Sequence, residues 1–305
     1  MSEIILHHYE MSPYAEKLRL AFGFKGLAWR SVQIPVVMPK PNLMELTGGY
    51  RRTPVLQIGA DVYCDTKVCA RVLDRLHPEP RLVPIGQETL VAALSRWAET
   101  SFMMAATIGI ATGAFDADFV ADREAMMAGV DFSRAPLVLE AKRLQLRANL
   151  ALLERQLGDG RRFLLGDTPT LADLSAYHPV FFLRNLKVDL TEPKRLAAWA
   201  DRVAAIGHGS RSELSDREAI DVARNATPCD RDPDVPVLPD GFAAGDLVAV
   251  LPEEIGSGVV VGELLPTGLH EIAVRRRSEA AGEIAVHFPR EDYLVLRAGP
   301  RPLVG

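Results

Sequence analysis

The spacing of apolar residues changes period along this chain, and the changes mark its elements. Ile4-Ile5-Leu6 begins a strand that runs through His7-His8-Tyr9 and stops at Glu10-Met11. Tyr14, Leu18, Ala21 and Phe22 then recur at the spacing of a helix buried on one side. Ser12 stands at the N-cap of that helix and Pro13 at its first position, where the missing N–H costs nothing; Gly26 closes it. Val55 to Ile58 and Asp61 to Tyr63 flank Gly59-Ala60 as two hairpin strands. Cys64-Asp65-Thr66 then leads into a helix from Lys67 to Leu76, with Val68, Val72, Leu73 and Leu76 on its apolar face.

From about Gln87 the pattern becomes helical, with Val91, Leu94, Trp97, Ala98 and Ser101 on one face and Met104 and Ala105 continuing it. A second long helix is predicted from Leu137 to Leu157, burying Leu146, Leu150, Leu153 and Leu157 and ending at Gly158 to Gly160. Thr170 and Asp173 form a capping arrangement for another, in which Pro179 predicts a kink. Leu196, Trp199 and Val203 mark a later helix.

Residues 227–241 are rich in Pro and Asp and predict a linker. Beyond Gly241 the period becomes two, predicting strands at Leu247 to Leu251, Gly258 to Leu264, Glu271 to Arg275, Glu283 to Phe288 and Tyr293 to Arg297. Five short strands predict a small SH3-like barrel or curled sheet, packed on the helical region or on a dimer partner. The domain plan is therefore residues 1–80, 86–226, the linker at 227–241, and a β-rich module at 242–305.

Charge and composition remove several classes of function. A net charge of −5 over 305 residues gives no reason to expect a nucleic-acid partner, and Arg275-Arg276-Arg277, beside acidic neighbours, reads as a solvated strand edge. No run of 18 or more apolar residues predicts a membrane span, and no basic-then-apolar start reads as a signal peptide. The 3 cysteines form no C-x-x-C pair, which argues against a disulfide framework or zinc site and for a reducing cytoplasm. The histidines show no ligand spacing, so no metal is expected.

Three short signals carry the chemistry: Ser12-Pro13-Tyr14, Thr53-Pro54 and Asp65-Thr66. Ser12 lies where free backbone N–H groups and the positive end of a helix dipole would stabilise a thiolate; taken alone, a Ser-Pro at a helix start is first of all a plain cap. Asp65 can accept from an amine while Thr66 offers a hydroxyl and N–H groups to a carboxylate, the pairing that recognises an α-amino-acid end. In this order and spacing the signals describe a thioredoxin-like βαβ-ββα domain with a site for a small peptide thiol. In such folds the proline before the third strand is cis, which would turn the backbone of Thr53 toward a bound peptide; the plainer alternative is a trans-Pro opening an edge strand.

With these motifs the chain resembles the cytosolic glutathione transferases from Glu3 to about Asn225. The stretch Ser12-Pro13-Tyr14-Ala15-Glu16-Lys17-Leu18-Arg19 is similar to the serine-type motif of tau-class and related members; omega-class enzymes carry Cys where this chain has Ser12. The resemblance implies an α+β protein with a thioredoxin-like N-terminal domain and an all-α C-terminal domain. Ser12 is then the catalytic residue, with Tyr9 as runner-up. Thr53, Pro54, Asp65, Thr66 and Arg52 bind glutathione, with Asp65-Thr66 replacing the family's Glu-Ser.

By the same resemblance the long helix lines an electrophile pocket with Phe102, Met103 and Thr107, to which Tyr14 adds its ring unless it is simply core. Glutathione is a co-substrate, no further cofactor is implied, and a homodimer acting in detoxification is expected. A serine hydroxyl can favour the thiolate but cannot form a mixed disulfide. Lowering a thiol pKa by about two units needs only ~2.7 kcal/mol. The chain therefore reads as a glutathione transferase acting on a small, apolar electrophile. The competing class is a non-catalytic relative that binds a partner through its β-rich module.

Overall fold

The computed structural model describes residues 3–127, 129–188, 193–229, 236–253 and 258–299. Its first unit comprises β1 (Ile4–His8), α1 (Pro13–Phe24), β2 (Ala28–Gln33), α2 (Pro41–Thr47), β3 (Val55–Ile58), β4 (Asp61–Cys64) and α3 (Thr66–Leu76). Helices α4 (Glu88–Ala111), α5 (Ala117–Met126), α6 (Leu139–Gln156), α7 (Leu171–Asn185) and α8 (Lys194–Ala204) follow. The chain then returns through β5 (Ser210–Glu213) and α9 (Asp216–Arg224) and ends in β6 (Leu247–Pro252), β7 (Val260–Leu265), β8 (Glu271–Ser278), β9 (Gly282–Pro289) and β10 (Tyr293–Arg297).

These strands join one sheet in the order β10-β6-β7-β8-β9-β4-β3-β1-β2-β5. Its centre is the thioredoxin-like sheet, with β1 parallel to β2 and antiparallel to β3. The alternation of Ile4 and Leu6 against Ile5 divides the core between its two faces. Ile4, Leu6, Leu56 and Tyr63 pack toward α1, α3 and the helices that carry Leu146 and Trp199. Ile5, Val55 and Val62 pack with Leu43 of α2, Ile220 of α9 and the apolar residues of the last strands, Val274, Val286 and Phe288 among them.

All five C-terminal strands lie where the alternation placed them, but their packing differs from expectation. They extend the central sheet instead of closing into a separate barrel, and they meet the helical region through the Arg96–Asp292 pair at the edge of the module. Strand β9 pairs in parallel with β4 through Asp61↔Ala285, Val62↔Val286 and Tyr63↔His287, so the module continues the central sheet. His287 anchors the seam: Nε2 lies 2.9 Å from Asp61 Oδ1, Nδ1 2.6 Å from Glu271 Oε1, and the ring stacks on Tyr63 at 4.6 Å. Hydrogen bonds between two buried edges cover groups that would otherwise need water. Arg276, expected as a solvated edge, instead donates to the Glu45 carbonyl of α2.

Other elements also depart from the expected plan. Strand β5 pairs in parallel with β2, and α9 packs on the sheet, so residues 210–224 return to the first unit rather than completing the helical one. The helix expected from Leu137 begins at Leu139, after a 3-10 segment at Phe132–Val138 that leaves Leu137 exposed. Pro179 lies inside α7, whose N-terminus has the full Thr170–Asp173 capping box. The expected linker falls partly outside the described residues, at Asp230 to Val235, as do Pro300 to Gly305 of the module.

Candidate functional site

Strand register alone gathers the three sequence signals at one end of the sheet. His7 of β1 lies opposite Val55 of β3, and Val55 lies opposite Cys64 of β4. The Tyr9–Ser12 turn, Thr53-Pro54 and Asp65-Thr66 each adjoin one of those positions, so segments distant along the chain become neighbours in space.

Ser12 caps α1: its hydroxyl oxygen accepts from Ala15 N at 3.1 Å and its own N–H donates to Tyr9 O at 3.1 Å. The residue is buried, and its hydroxyl proton remains a donor. The turn before it is held from behind by Arg19, also buried, which donates to Glu10 O at 2.9 Å and pairs with Glu16 at 2.7 Å. Tyr9 points elsewhere, with its hydroxyl 3.2 Å from an Arg123 nitrogen on α5.

The Thr53-Pro54 bond is cis. Lys40, the residue before α2, reaches into this loop: Nζ donates to Thr53 Oγ1 at 3.2 Å and to Arg51 O at 3.4 Å. Burial, together with the charges of Arg123 and Arg51, lowers the Lys40 ammonium to about 8 against the opposing pull of Asp122. Sequence reasoning missed this residue; a lysine enclosed by Pro39 and Pro41 was the only local signal. Arg51 is committed to an ion pair with Asp122 of α5. Arg52 is half-buried in the same loop.

Asp65 caps α3 by accepting from Lys67 N at 2.8 Å, with its backbone at φ 87°. Burial pushes its carboxyl upward, opposed by Lys67 and Lys17. Thr66 is buried at the first helical position. The Asp292 carboxylate, from the turn between β9 and β10, pairs with Lys67 Nζ and accepts from Arg96 of α4 at 2.9 and 3.0 Å.

Across from α3, Tyr14 donates to Glu99 of α4 at 2.6 Å, and Lys17 pairs with the same carboxylate at 3.3 Å. Burial would raise Glu99; Lys17, His178 and the Tyr14 bond outweigh it and hold the group down at about 2. Burial, then the Glu99 charge, pushes the Tyr14 phenol well up, so it stays a neutral donor. The Tyr14 ring meets Phe102 edge-on at 5.0 Å, and buried His178 lies 5.0 Å from Tyr14 and 4.8 Å from Phe102. The structure thus joins Tyr14 and Phe102 in one aromatic wall. It does not bring Met103 into that wall, since the residue is 44% exposed, and the Thr107 hydroxyl donates back to Met103 O at 2.8 Å.

Among the described residues no group of His, Cys, Asp or Glu is arranged to hold a metal, and no helix is long and apolar enough to cross a membrane. Cys64 and Cys69 are buried free thiols, and Cys229 is exposed.

Comparison with known proteins agrees with this layout. The family model "Glutathione S-transferase, N-terminal domain" matches residues 6–81, and the corresponding C-terminal domain model matches residues 136–202. A GST-like protein from Pseudomonas syringae is 42% identical, with a TM-score of 0.82, covering 98% of this chain and 100% of that one. That match takes in the C-terminal strands. The beta-etherase LigF of a Sphingobium strain (18% identity, TM-score 0.53, 67% of this chain and 96% of that one) shares the fold. A tau-class glutathione S-transferase of mango, Mangifera indica, does likewise (17% identity, TM-score 0.52, 67% and 89%). No curated protein sequence matches the chain.

Proposed function

The chain belongs to the glutathione S-transferase family, and on that premise we propose that it binds glutathione at the end of the sheet marked by Ser12, Thr53 and Asp65 and activates its thiol. The observation that carries the reading is the register His7↔Val55↔Cys64, which brings the three recognition signals together.

Each end of the peptide has a chemical counterpart there. The ammonium of the γ-glutamyl end meets Asp65, and its carboxylate meets the hydroxyl and N–H groups of Thr66 at the N-terminus of α3. The backbone N–H and C=O of Thr53 pair with the cysteinyl residue in strand fashion. Lys40 or Arg52 takes the glycine carboxylate. The thiol then lies at the N-terminus of α1, where the Ser12 hydroxyl donates to sulfur and the helix dipole favours the thiolate. The thiolate forms the new bond to carbon of a small apolar electrophile lodged against Tyr14 and Phe102, and the leaving group departs with the bonding pair. Glutathione is consumed as a co-substrate and no resident cofactor takes part. A homodimer in the cytoplasm with a detoxifying role completes this reading.

A thiolate absorbance titration with bound glutathione tests it. The reading predicts a bound-thiol pKa below that of free glutathione, and a value equal to the free one would defeat it. One observation favours a second reading, that of a binding protein without turnover: Ser12 is buried and its oxygen is already engaged by Ala15. Turnover with an aryl halide would exclude that alternative.

A further inference from the structure

Resting on the glutathione reading above, we propose that the C-terminal strand module is a working part of the thiol-binding site, and that its residue Asp292 sets selectivity for the α-amino group of the bound peptide by competing with Asp65 for the Lys67 ammonium.

Topology brings the module there. Strand β9 runs parallel to β4 with Tyr63 opposite His287, so the chain leaving β9 emerges at the same end of the sheet as Asp65. The turn that follows carries Glu291 and Asp292. Arg71 of α3 pairs with Glu291 at 2.5 Å, fixing the turn beside the helix, and Asp292 bridges Lys67 of α3 and Arg96 of α4. One carboxylate of the module therefore ties the thioredoxin-like unit to the helical unit beside the residues that face the γ-glutamyl end. Asp292 holds a backbone at φ 67°, in the left-handed region that L residues rarely occupy and that Asp and Asn tolerate best.

The function of this clamp follows from what surrounds Asp65. That carboxylate is half-buried and already accepts the Lys67 backbone N–H through one oxygen. A ligand ammonium must be taken by what remains of its acceptor capacity. Lys67 carries its own ammonium only two residues away, an internal competitor for the same carboxylate. Asp292 pairs with that ammonium and draws it toward the module, while Glu99 holds Lys17 and Tyr14 in the same manner from α4. Lys67 and Lys17 still act on Asp65 through their charge, but their direct ion pairs go to two other acidic groups, Asp292 and Glu99, which leaves the remaining acceptor capacity of Asp65 for the ligand. Asp292 is a positioning residue: it acts through Lys67.

The test uses the full chain and two probes, reduced glutathione and its analogue lacking the γ-glutamyl amino group, each titrated calorimetrically. Asp292→Asn is the variant of choice, because Asn keeps both size and left-handed tolerance while removing the charge. Wild type should prefer glutathione over the analogue, and Asp292→Asn should weaken glutathione about tenfold while leaving the analogue near its wild-type affinity. Replacing Lys67 with Met in the Asp292→Asn background removes the competitor and should restore the preference.

Unchanged discrimination in Asp292→Asn, or an equal loss for both probes, would overturn the proposal by reducing the module to a structural support. If wild type binds neither probe, it is the glutathione reading itself that fails, and the proposal with it.

Discussion

Lys40 and Thr53 are joined side chain to side chain, Nζ to Oγ1 at 3.2 Å, so the segment before α2 is fastened to the residue that precedes the cis proline. The lysine is buried, with an ammonium lowered to about 8. Recognition of the glycine carboxylate by Lys40 requires the charged form, so affinity should be full below pH 8 and decline as the pH rises through it. S-methylglutathione, which has no titrating thiol, isolates this effect in a calorimetric pH series. Lys40→Met should cost about tenfold in affinity and remove the pH step, because a charge-assisted bond is lost. Lys40→Arg should retain affinity above that pH. A flat series in wild type would exclude Lys40 from ligand binding.

Ser12→Ala separates the two roles of the serine. Loss of the cap should lower stability by about 1 kcal/mol, measurable by chemical denaturation. Loss of the donor should raise the pKa of bound glutathione and shift the activity–pH profile by the same amount. A profile that stays in place would leave Ser12 as a cap alone.

His287 gives the seam between the module and the central sheet a pH dependence of definite sign. Burial alone would lower its pKa, but the bonds to Asp61 and Glu271 reverse this and raise it. Its contribution to stability is therefore complete below the ordinary histidine value of 6.5 and is lost as the pH climbs through the raised folded value. Melting temperatures compared between about pH 6 and pH 9 should fall in wild type and fall less in His287→Gln. Equal slopes in the two proteins would show that the imidazolium does not hold the seam.

Much of the fold was legible because its signals are local. Ser12-Pro13, the Thr170–Asp173 box and the alternation in β6 to β10 are each decided by residues within one or two turns of chain. What was missed depends on remote partners. Strand β5 is four exposed polar residues, Ser210–Glu213, that extend only because β2 offers them an edge. The union of β9 with β4 joins positions more than 220 residues apart, and no periodicity records it. The three motifs stand in the local sequence, whereas the settings of Lys40 and Asp292 do not, because a buried lysine and a bridging aspartate are defined by what folds against them. Helix α9 is a different case, since its Ser215–Glu218 capping box was present in the sequence and went unread.

Asp173 should matter for folding and not for chemistry. It is fully buried and accepts from Leu164 N, Thr170 N, Thr170 Oγ1 and Trp199 Nε1 at 2.8 to 3.1 Å. Asp173→Ala strands several buried donors at ~1–3 kcal/mol each, so a loss of roughly 3–5 kcal/mol is expected in urea unfolding. Asp173→Asn should be milder. A loss below about 1 kcal/mol for the alanine variant would mean that the capping box does not secure α7.

The most direct measurement is a calorimetric titration of the full chain with reduced glutathione, paired with thermal unfolding in its presence. One-site binding between the micromolar and millimolar ranges is the predicted result, with a melting temperature that rises as glutathione is added; a ligand at about 100 times its dissociation constant stabilises by ~2.7 kcal/mol. No heat, together with an unshifted melting temperature at millimolar glutathione, would contradict the assignment of this site to glutathione.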